Sequence, residues 1–534
     1  MSMSGRDGRR TGLGAIAGVL AAGTALGVGQ FVAGLTGASG SPVVAVGELQ
    51  IDFTPPWLKN FAINEFGADD KLVLVSGILV VIAIFAAVIG AAATRRMAYG
   101  MAGLAVFGAV GLTAAATRPT ATFTSLLPTL GATASAAAVL LVLIPLLRPP
   151  AAPAPRPASY DPVTGPAEAE EPGEPAEPRE PRRRSFLAAG AATAGIAAGA
   201  GLAGRLLTER SSVASAQRSL RIPKPTVTTQ SLPPGTDLHI PGLASFITPN
   251  SAFYRVDTAL VLPQVDPSSW QLRIHGMVNR EITLTFEELI KRPLIEDYVT
   301  LCCVSNPVGG PYIGNAKWLG ASLAAVLREA GIKAGADQLL CTSVDGFTSG
   351  TPVQTVMDGR DALLAVAMNG QSLPVAHGFP ARMVVPGLYG YVSATKWVTD
   401  INVTTFAGNY AYWAQRGWSQ QAPIKTECRI DVPNGLNNVK GGTTAVAGVA
   451  WAQHKGIEAV EVRVDSGPWN VATLAAVPGI DTWRQWVWPW AATPGPHVIE
   501  ARATDKTGYT QTTFQAQPEP NGASGYPSVS VTVG

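Results

Sequence analysis

In Tyr298-Val-Thr-Leu-Cys-Cys-Val-Ser-Asn306 the side chains alternate as they do along a strand. Val299, Leu301 and Cys303 fall on one face, and Tyr298, Thr300 and Cys302 on the other. The pattern breaks at Ser305-Asn306-Pro307 and enters the glycine-rich turn Val308-Gly-Gly-Pro311. A cysteine at the end of a strand, just before an irregular loop, can offer its sulfur to a group held outside the sheet. Two adjacent cysteines cannot serve one tetrahedral site as a C-x-x-C pair does, so zinc is a poor match. The plain alternative is a pair of small buried apolar residues.

Composition bounds what surrounds this stretch. With 534 residues the chain is long enough for three or four units. A formal charge of +2 gives no footprint for nucleic acid. Only 14% of residues are charged and the mean hydropathy is positive, which points to membrane segments. Four cysteines are too few for a disulfide framework, although a Cys341–Cys428 bridge stays open.

Four apolar runs come first, at about Leu13–Leu35, Leu72–Ala92, Met101–Ala116 and Leu126–Leu147, most of them near the ~20 residues that span a bilayer. Arg9 and Arg10 precede the first, Arg95 and Arg96 separate the second from the third, and Arg148 follows the fourth. Placed in the cytoplasm, these arginines put the loop with Trp57 and Asp69-Asp70 outside, with Arg118 as the dissenter. The runs contain no ionisable residue and no histidine precedes His239, so the bundle holds no bis-histidine haem and reads as an anchor or docking platform. Between Pro149 and Pro181, eleven of thirty-three residues are proline, so this segment is a linker. It leads into Arg183-Arg-Ser-Phe-Leu187 and an Ala/Gly-rich run to Leu207. That pattern fits a twin-arginine export signal, for which Ala214-Ser-Ala216 offers a cleavage site, and equally a basic flank on a fifth spanning helix. Both put the rest of the chain outside the cytoplasm, as expected of a multi-pass protein of the cell membrane.

The globular half divides by texture. Trp270–Gly276 and Ile282–Thr285 read as strands, and Thr285-Phe-Glu-Glu288 as a capping box before a short helix. Ala321–Ala330 reads as a helix stopped by Gly331, with strands at Gln338–Val344 and Phe379–Val385. Strands and helices without regular alternation predict an α+β domain. From about 440, Thr443–Ala450, Ala459–Val464 and His497–Ala503 alternate apolar with polar, which predicts an immunoglobulin-like β-sandwich with Trp483, Trp486, Trp488 and Trp490 in packing roles. The expected organisation is a four-helix transmembrane region at 1–148, a linker at 149–182, a signal or fifth transmembrane helix at 183–217, an α+β domain at 218–432 and the sandwich at 433–534.

Thr300-Leu-Cys-Cys-Val-Ser-Asn306 resembles the T-L-x-C-x-x-N segment of the sulfite oxidase family of molybdopterin enzymes. His377-Gly-Phe-Pro-Ala-Arg382-Met-Val-Val-Pro-Gly387-Leu-Tyr-Gly390, with Lys396-Trp397 beyond it, is similar to that family's H-G-x-P-x-R…V-P-G-x-x-G…K-W signature. Met368-Asn-Gly370 also fits, and a terminal sandwich matches the family's dimerisation domain. The resemblance covers about residues 230–530. It implies a molybdopterin-binding domain of sulfite oxidase type with a molybdenum–molybdopterin cofactor. Cys303, with Asn306 in its segment, is implied as the metal ligand, since a soft thiolate suits a metal already held by two sulfurs. His377, Arg382 and Lys396, with the polar turn Ser393-Ala-Thr395, are implied as cofactor-binding residues, and Arg255 as an arginine near cofactor and substrate.

Two departures bear on substrate. Pro307 and Val308 stand where sulfite oxidases carry arginine, and their active-site tyrosine falls on Trp418. An anion wants converging cations, so a neutral or weakly charged substrate, such as a sulfoxide, is at least as well served as sulfite. With no haem or iron–sulfur motif, the expected partners are a small-molecule substrate, a separate redox partner (a quinone or haem protein) in or at the membrane, and a second copy of the chain. The competing function is a non-enzymatic membrane-anchored binding or adhesion module with a vestigial cofactor domain.

Overall fold

The computed structural model describes residues 3–36, 42–54, 70–118, 121–147, 183–210, 213–434 and 439–534. The proline-rich linker, Arg148 and the loop around Trp57 lie outside them. The chain divides into two units, Met1–Ser212 and Val213–Gly534.

The first unit is helical, with α1 (Met3–Thr36), α2 (Pro42–Phe53), α3 (Asp70–Arg95), α4 (Met97–Ala116), α5 (Phe123–Leu146) and α6 (Arg183–Arg210). All but α2 are long and apolar enough to cross a membrane, with candidate spans of 20 to 29 residues. Glycines let these helices approach closely. A methyl group on Gly90 would strike the α1 backbone at Gly14 and Gly18, and one on Gly204 would strike it at Gln30–Phe31. Phe186, from the Arg-Arg-Ser-Phe-Leu segment, is buried in the bundle core with Ala17, Ala136 and Leu140. Arg118, the basic residue that broke the charge sorting, pairs with Glu48 of α2 at 2.7 Å.

The second unit begins with α7 (Ala214–Ser219) and carries four sheets. β1 (Gln271–Gly276), β2 (Ile282–Thr285), β5 (Gln338–Ser343), β6 (Thr348–Pro352) and β10 (Val398–Thr404) form one sheet in the order β2-β1-β10-β5-β6, with β1 and β10 parallel. β3 (Leu294–Cys302), β4 (Ile313–Ser322), β7 (Leu363–Met368) and β8 (Gln371–Ser372) form the second, onto which β9 (Arg382–Val384) adds beside β7. Short helices join them: α8 (Phe286–Ile290), α9 (Leu323–Ala330), α10 (Val353–Met357) and α11 (Gly390–Ser393). The Thr285–Glu288 capping box forms as expected. α9 starts at Leu323 instead of Ala321, because β4 continues to Ser322, whose hydroxyl accepts from the Ala325 amide at 3.2 Å and caps the helix. The strand expected at Phe379–Val385 shortens to three residues.

β11 (Glu427–Val432), β12 (Gly442–Trp451), β15 (Thr473–Leu474) and β16 (Arg484–Ala492) make a third sheet, and β13 (Ile457–Val464), β14 (Asn470–Val471), β17 (Gly495–Asp505) and β18 (Ser528–Val533) a fourth. Val446, Val460, Trp486, Ile499 and Ala501 from both sheets share one apolar core. Cys341 on β5 and Cys428 on β11 are buried free thiols, so the bridge left open by the sequence does not form.

β3 is buried on both faces toward its C-terminal end. Tyr298 and Cys302 join the larger core, whereas Val299 and Leu301 join another with Phe253 and Trp318. The segment before β16 locks this strand in place. The Thr300 amide donates to the Asp481 carbonyl at 2.9 Å, and the Trp483 amide donates to the Thr300 hydroxyl at 2.7 Å. The Trp483 indole N–H in turn donates to the Phe246 carbonyl at 2.8 Å. The C-terminal sheets therefore clamp the strand that ends at the cysteine pair.

Candidate functional site

Cys303 is the first residue beyond β3. Its amide donates to the Tyr312 carbonyl at 2.9 Å and its carbonyl accepts from the Asn306 amide at 3.1 Å, which closes the loop after the strand into a tight turn. Burial pushes the Cys303 thiol up from its ordinary value, while the Ser305 amide and hydroxyl and the Lys396 ammonium pull against it. Cys302 faces the opposite core, and burial pushes its thiol up further, with the charge of Glu427 adding to the effect. The adjacent sulfurs thus sit in different environments, with Lys396 acting on Cys303 and Arg429 on Cys302.

Asn306 is 2% exposed, and its Oδ1 accepts from the Tyr312 amide at 2.8 Å. Its Nδ2 is buried with no hydrogen-bond partner among the described residues. An orphan buried donor costs about 1–3 kcal/mol unless something accepts from it.

Three cations gather from separate elements. Arg382, on β9, is 5% exposed and lies over the Trp318 ring at 5.0 Å. Its guanidinium donates to the carbonyls of Met383 (3.3 Å), His377 (3.1 Å) and Ala394 (3.1 Å). These three bonds leave two of the five guanidinium N–H groups uncommitted among the described residues. Burial lowers its pKa to about 10. Lys396 pairs with Arg382 across an isolated bridge and donates to Asp257 at 2.6 Å and to the Ala376 carbonyl at 3.3 Å. Burial lowers its pKa to about 8, against the pull of Asp257. Arg255 reaches the same carboxylate with Nε at 2.8 Å and Nη2 at 3.2 Å, and its side chain is 38% exposed.

His377 ends a 3-10 turn, packs edge-on against Phe253 and donates from Nε2 to the Asn250 carbonyl at 3.3 Å. Burial, then Arg382 and Lys396, lower its pKa to about 4, so the ring is neutral near pH 7. Its free nitrogen, Nδ1, is then an acceptor. The Ser393 hydroxyl donates inward to the Leu388 and Tyr389 carbonyls, and the Thr395 hydroxyl bonds Ser349 at 2.5 Å. These two hydroxyls brace the turn before Lys396 instead of presenting donors. Trp418 lies beside Tyr391 and Trp413, each 6.0 Å away by ring centroid.

Two participants were missed by the sequence reading. Tyr254 stacks on Phe253, and a methyl group on Gly390 would lie 3.8 Å from its hydroxyl and 3.6 Å from the Cys302 carbonyl. Burial and then the charge of Cys303 hold its phenol well above the usual range. Asp257 is the other. Both lie within Phe253-Tyr-Arg-Val-Asp257, where only the arginine had been singled out.

The arrangement defines a class. A soft sulfur at a strand end suits a thiophilic metal, while an orphan amide and a surplus of buried cations suit an anionic group such as a phosphate. Such a donor set can accommodate a metal cofactor with a phosphate-bearing organic part.

Residues 259–413 match the family model described as oxidoreductase molybdopterin binding domain. The chain is 31% identical to sulfite oxidase of Gallus gallus over 290 residues, which covers 46% of this chain and 62% of that protein. It is 29% identical to nitrate reductase [NADH] 1 of Oryza sativa subsp. japonica over 332 residues, covering 50% of this chain and 36% of that one. Among solved structures, the sulfane dehydrogenase SoxCD of Paracoccus pantotrophus aligns at 24% identity and a TM-score of 0.45, covering 50% of this chain and 75% of that chain. The chain thus spans less than two thirds of the length of the chicken and rice relatives. The second unit thus carries an oxidoreductase molybdopterin-binding domain similar to that of the sulfite oxidases, and its cofactor is molybdenum–molybdopterin.

Proposed function

We propose that the protein is a membrane-anchored, extracytoplasmic oxidoreductase that transfers an oxygen atom to or from a small sulfur- or nitrogen-containing substrate. One observation carries this reading: Cys303, Arg382 and Lys396 converge from three separate elements, with the Asn306 amide left unpaired. Desolvated cations cost stability, and a module with no anion to bind has no use for them, which counts against the adhesion reading.

The residues divide the work. Cys303 would supply the thiolate to molybdenum, from a sulfur that burial otherwise keeps protonated. Arg382 and Lys396 would hold the cofactor's phosphate, with His377 as a neutral neighbour. Ser393 and Thr395 keep the turn in shape. Arg255, the more exposed cation, faces the approach, and Trp418 with Tyr391 forms an aromatic wall toward the substrate. When bound, the molybdenum cofactor supplies the two-electron oxygen-transfer chemistry.

In this reading the helices of the first unit other than α2 span the cell membrane, with Arg9, Arg10, Arg95 and Arg96 in the cytoplasm and the second unit outside. The Arg183–Leu187 segment then directs export of the folded domain, and the C-terminal sheets form an immunoglobulin-like dimerisation domain. Electrons pass to or from a quinone or haem protein at the membrane. The test is molybdenum content and turnover of full-length protein on sulfite, sulfoxides and N-oxides. Stoichiometric metal that disappears in Cys303→Ala is expected, and metal-free protein from a cofactor-competent host refutes the proposal.

A further inference from the structure

The sequence leaves Arg183–Leu207 open between an export signal that is removed and a spanning helix that stays. The contacts of α6 with α1 bear on that choice. A methyl group on Gly190 would lie 3.4 Å from Leu20, one on Gly27 would strike the Ala197 carbonyl, and one on Gly34 would come within 3.0 Å of the Gly204 carbonyl oxygen. Both helices therefore advance seven residues from one contact to the next, in the same direction, as a parallel pair packed along one seam does. Further along, Gln30 Nε2 reaches the Thr208 hydroxyl at 3.5 Å. α3 meets α1 the opposite way, Gly14 against Gly90 and Thr94, and Gly18 against Ala86 and Gly90. Close backbone contact through small residues is what associates helices in lipid, where apolar burial supplies no driving force. The other side of α6 is open: a methyl group on Gly195 or Gly199 would meet nothing within 4 Å.

The candidate cleavage site is itself built into the second unit. Ala214-Ser-Ala216 opens α7, where the Gln217 amide donates to the Val213 carbonyl at 2.8 Å and the Leu220 amide to the Ala216 carbonyl at 3.0 Å. Val213 is buried in a core with Phe253 and with Val299 and Leu301 of β3. Its amide donates to Gln264 Oε1 at 3.1 Å, and Gln217 Nε2 donates to the Leu373 carbonyl at 2.7 Å. Proteolysis takes exposed backbone with few bonds, and a cut after Ala216 would strip Val213 from the core on which the site strand packs.

We propose that α6 is a permanent fifth membrane helix: it docks in parallel register on α1, is not removed after export, and keeps the second unit tethered to the membrane. This rests on the membrane part of the reading above and not on its chemistry. The parallel register also puts Arg184 at the same end of the bundle as Arg9 and Arg10, as cytoplasmic arginines require.

The test uses full-length protein in the membranes of expressing cells, with a sequence-specific protease site inserted in the proline-rich linker. Gln30→Cys with Thr208→Cys should be joined by a short bis-methanethiosulfonate, which then holds the two fragments together after the cut. Gln30→Cys with Gly199→Cys, on the open side and about 14 Å further back along the axis, should not be joined. Adding Gly204→Leu to the first pair should abolish the link, whereas Gly199→Leu should leave it intact. Wild type should keep its full 55.3 kDa and stay in the membrane through an alkaline carbonate wash. Absence of the Gln30→Cys/Thr208→Cys link, or a released chain that begins at Gln217 while the N-terminal fragment stays in the membrane, overturns this inference and leaves the other spans standing. An intact chain stripped off by carbonate overturns the membrane reading as well.

Discussion

Glu427 offers a quantitative test of how the C-terminal sheets meet the site strand. It is 4% exposed on β11, directly across from Trp451 on β12. Its Oε1 and the Trp451 indole nitrogen are both buried without a hydrogen-bond partner among the described residues. Burial pushes the carboxyl from 4.5 up to about 8, with Lys425 pulling against it, so the folded protein holds this group neutral at pH 7. In the unfolded chain it titrates at its ordinary value. Below pH 4.5 both states are protonated and the group is neutral in its effect. Above that, the unfolded state gains about 1.4 kcal/mol per pH unit until the folded group ionises, so the penalty is about 3 kcal/mol at pH 7 and saturates near 5 kcal/mol above pH 8. Glu427→Gln keeps the shape and removes the titration. Its amide carries its own burial cost, but that cost is independent of pH, so the readout is the change in slope. Urea unfolding of the full chain in detergent, followed by tryptophan fluorescence at pH 5.5 and 8.5, should show the variant gaining several kcal/mol on wild type at the higher pH. Equal pH dependence in the two proteins would refute a neutral, buried Glu427.

Metal analysis of the two cysteine variants separates adjacent sulfurs: Cys303→Ala should lose molybdenum, whereas Cys302→Ala, which alters the opposite core, should retain it. Arg382→Lys should destabilise the second unit by about 2–4 kcal/mol in denaturant titrations, because an ammonium cannot reproduce a planar fork to three carbonyls stacked over Trp318. Trp483→Ala should cost about 3–5 kcal/mol by emptying a buried site, and should speed hydrogen exchange at the Thr300 amide, whose acceptor lies two residues before it.

What the sequence discloses about the site is the part carried by local order. The alternation of Tyr298–Cys303 is a local property, and the strand does send Tyr298 and Cys302 one way and Val299 and Leu301 the other. The Thr285 capping box and the alternating strands near the C-terminus are legible for the same reason. β7 was missed because Leu-Leu-Ala-Val-Ala-Met is buried on both faces and so shows no alternation. The Lys396–Asp257 pair joins residues 139 apart, and no pattern within Phe253–Asp257 announces that its last carboxylate will be claimed by a lysine from a distant turn. The same limit explains His377. Its residue type suggests a donor to phosphate, yet the Asn250 carbonyl takes its N–H, and burial, aided by two neighbouring cations, keeps the ring neutral. The motif residues are therefore readable as a set of donors, while the sign of the charge left over is decided by carboxylates that the motifs do not contain.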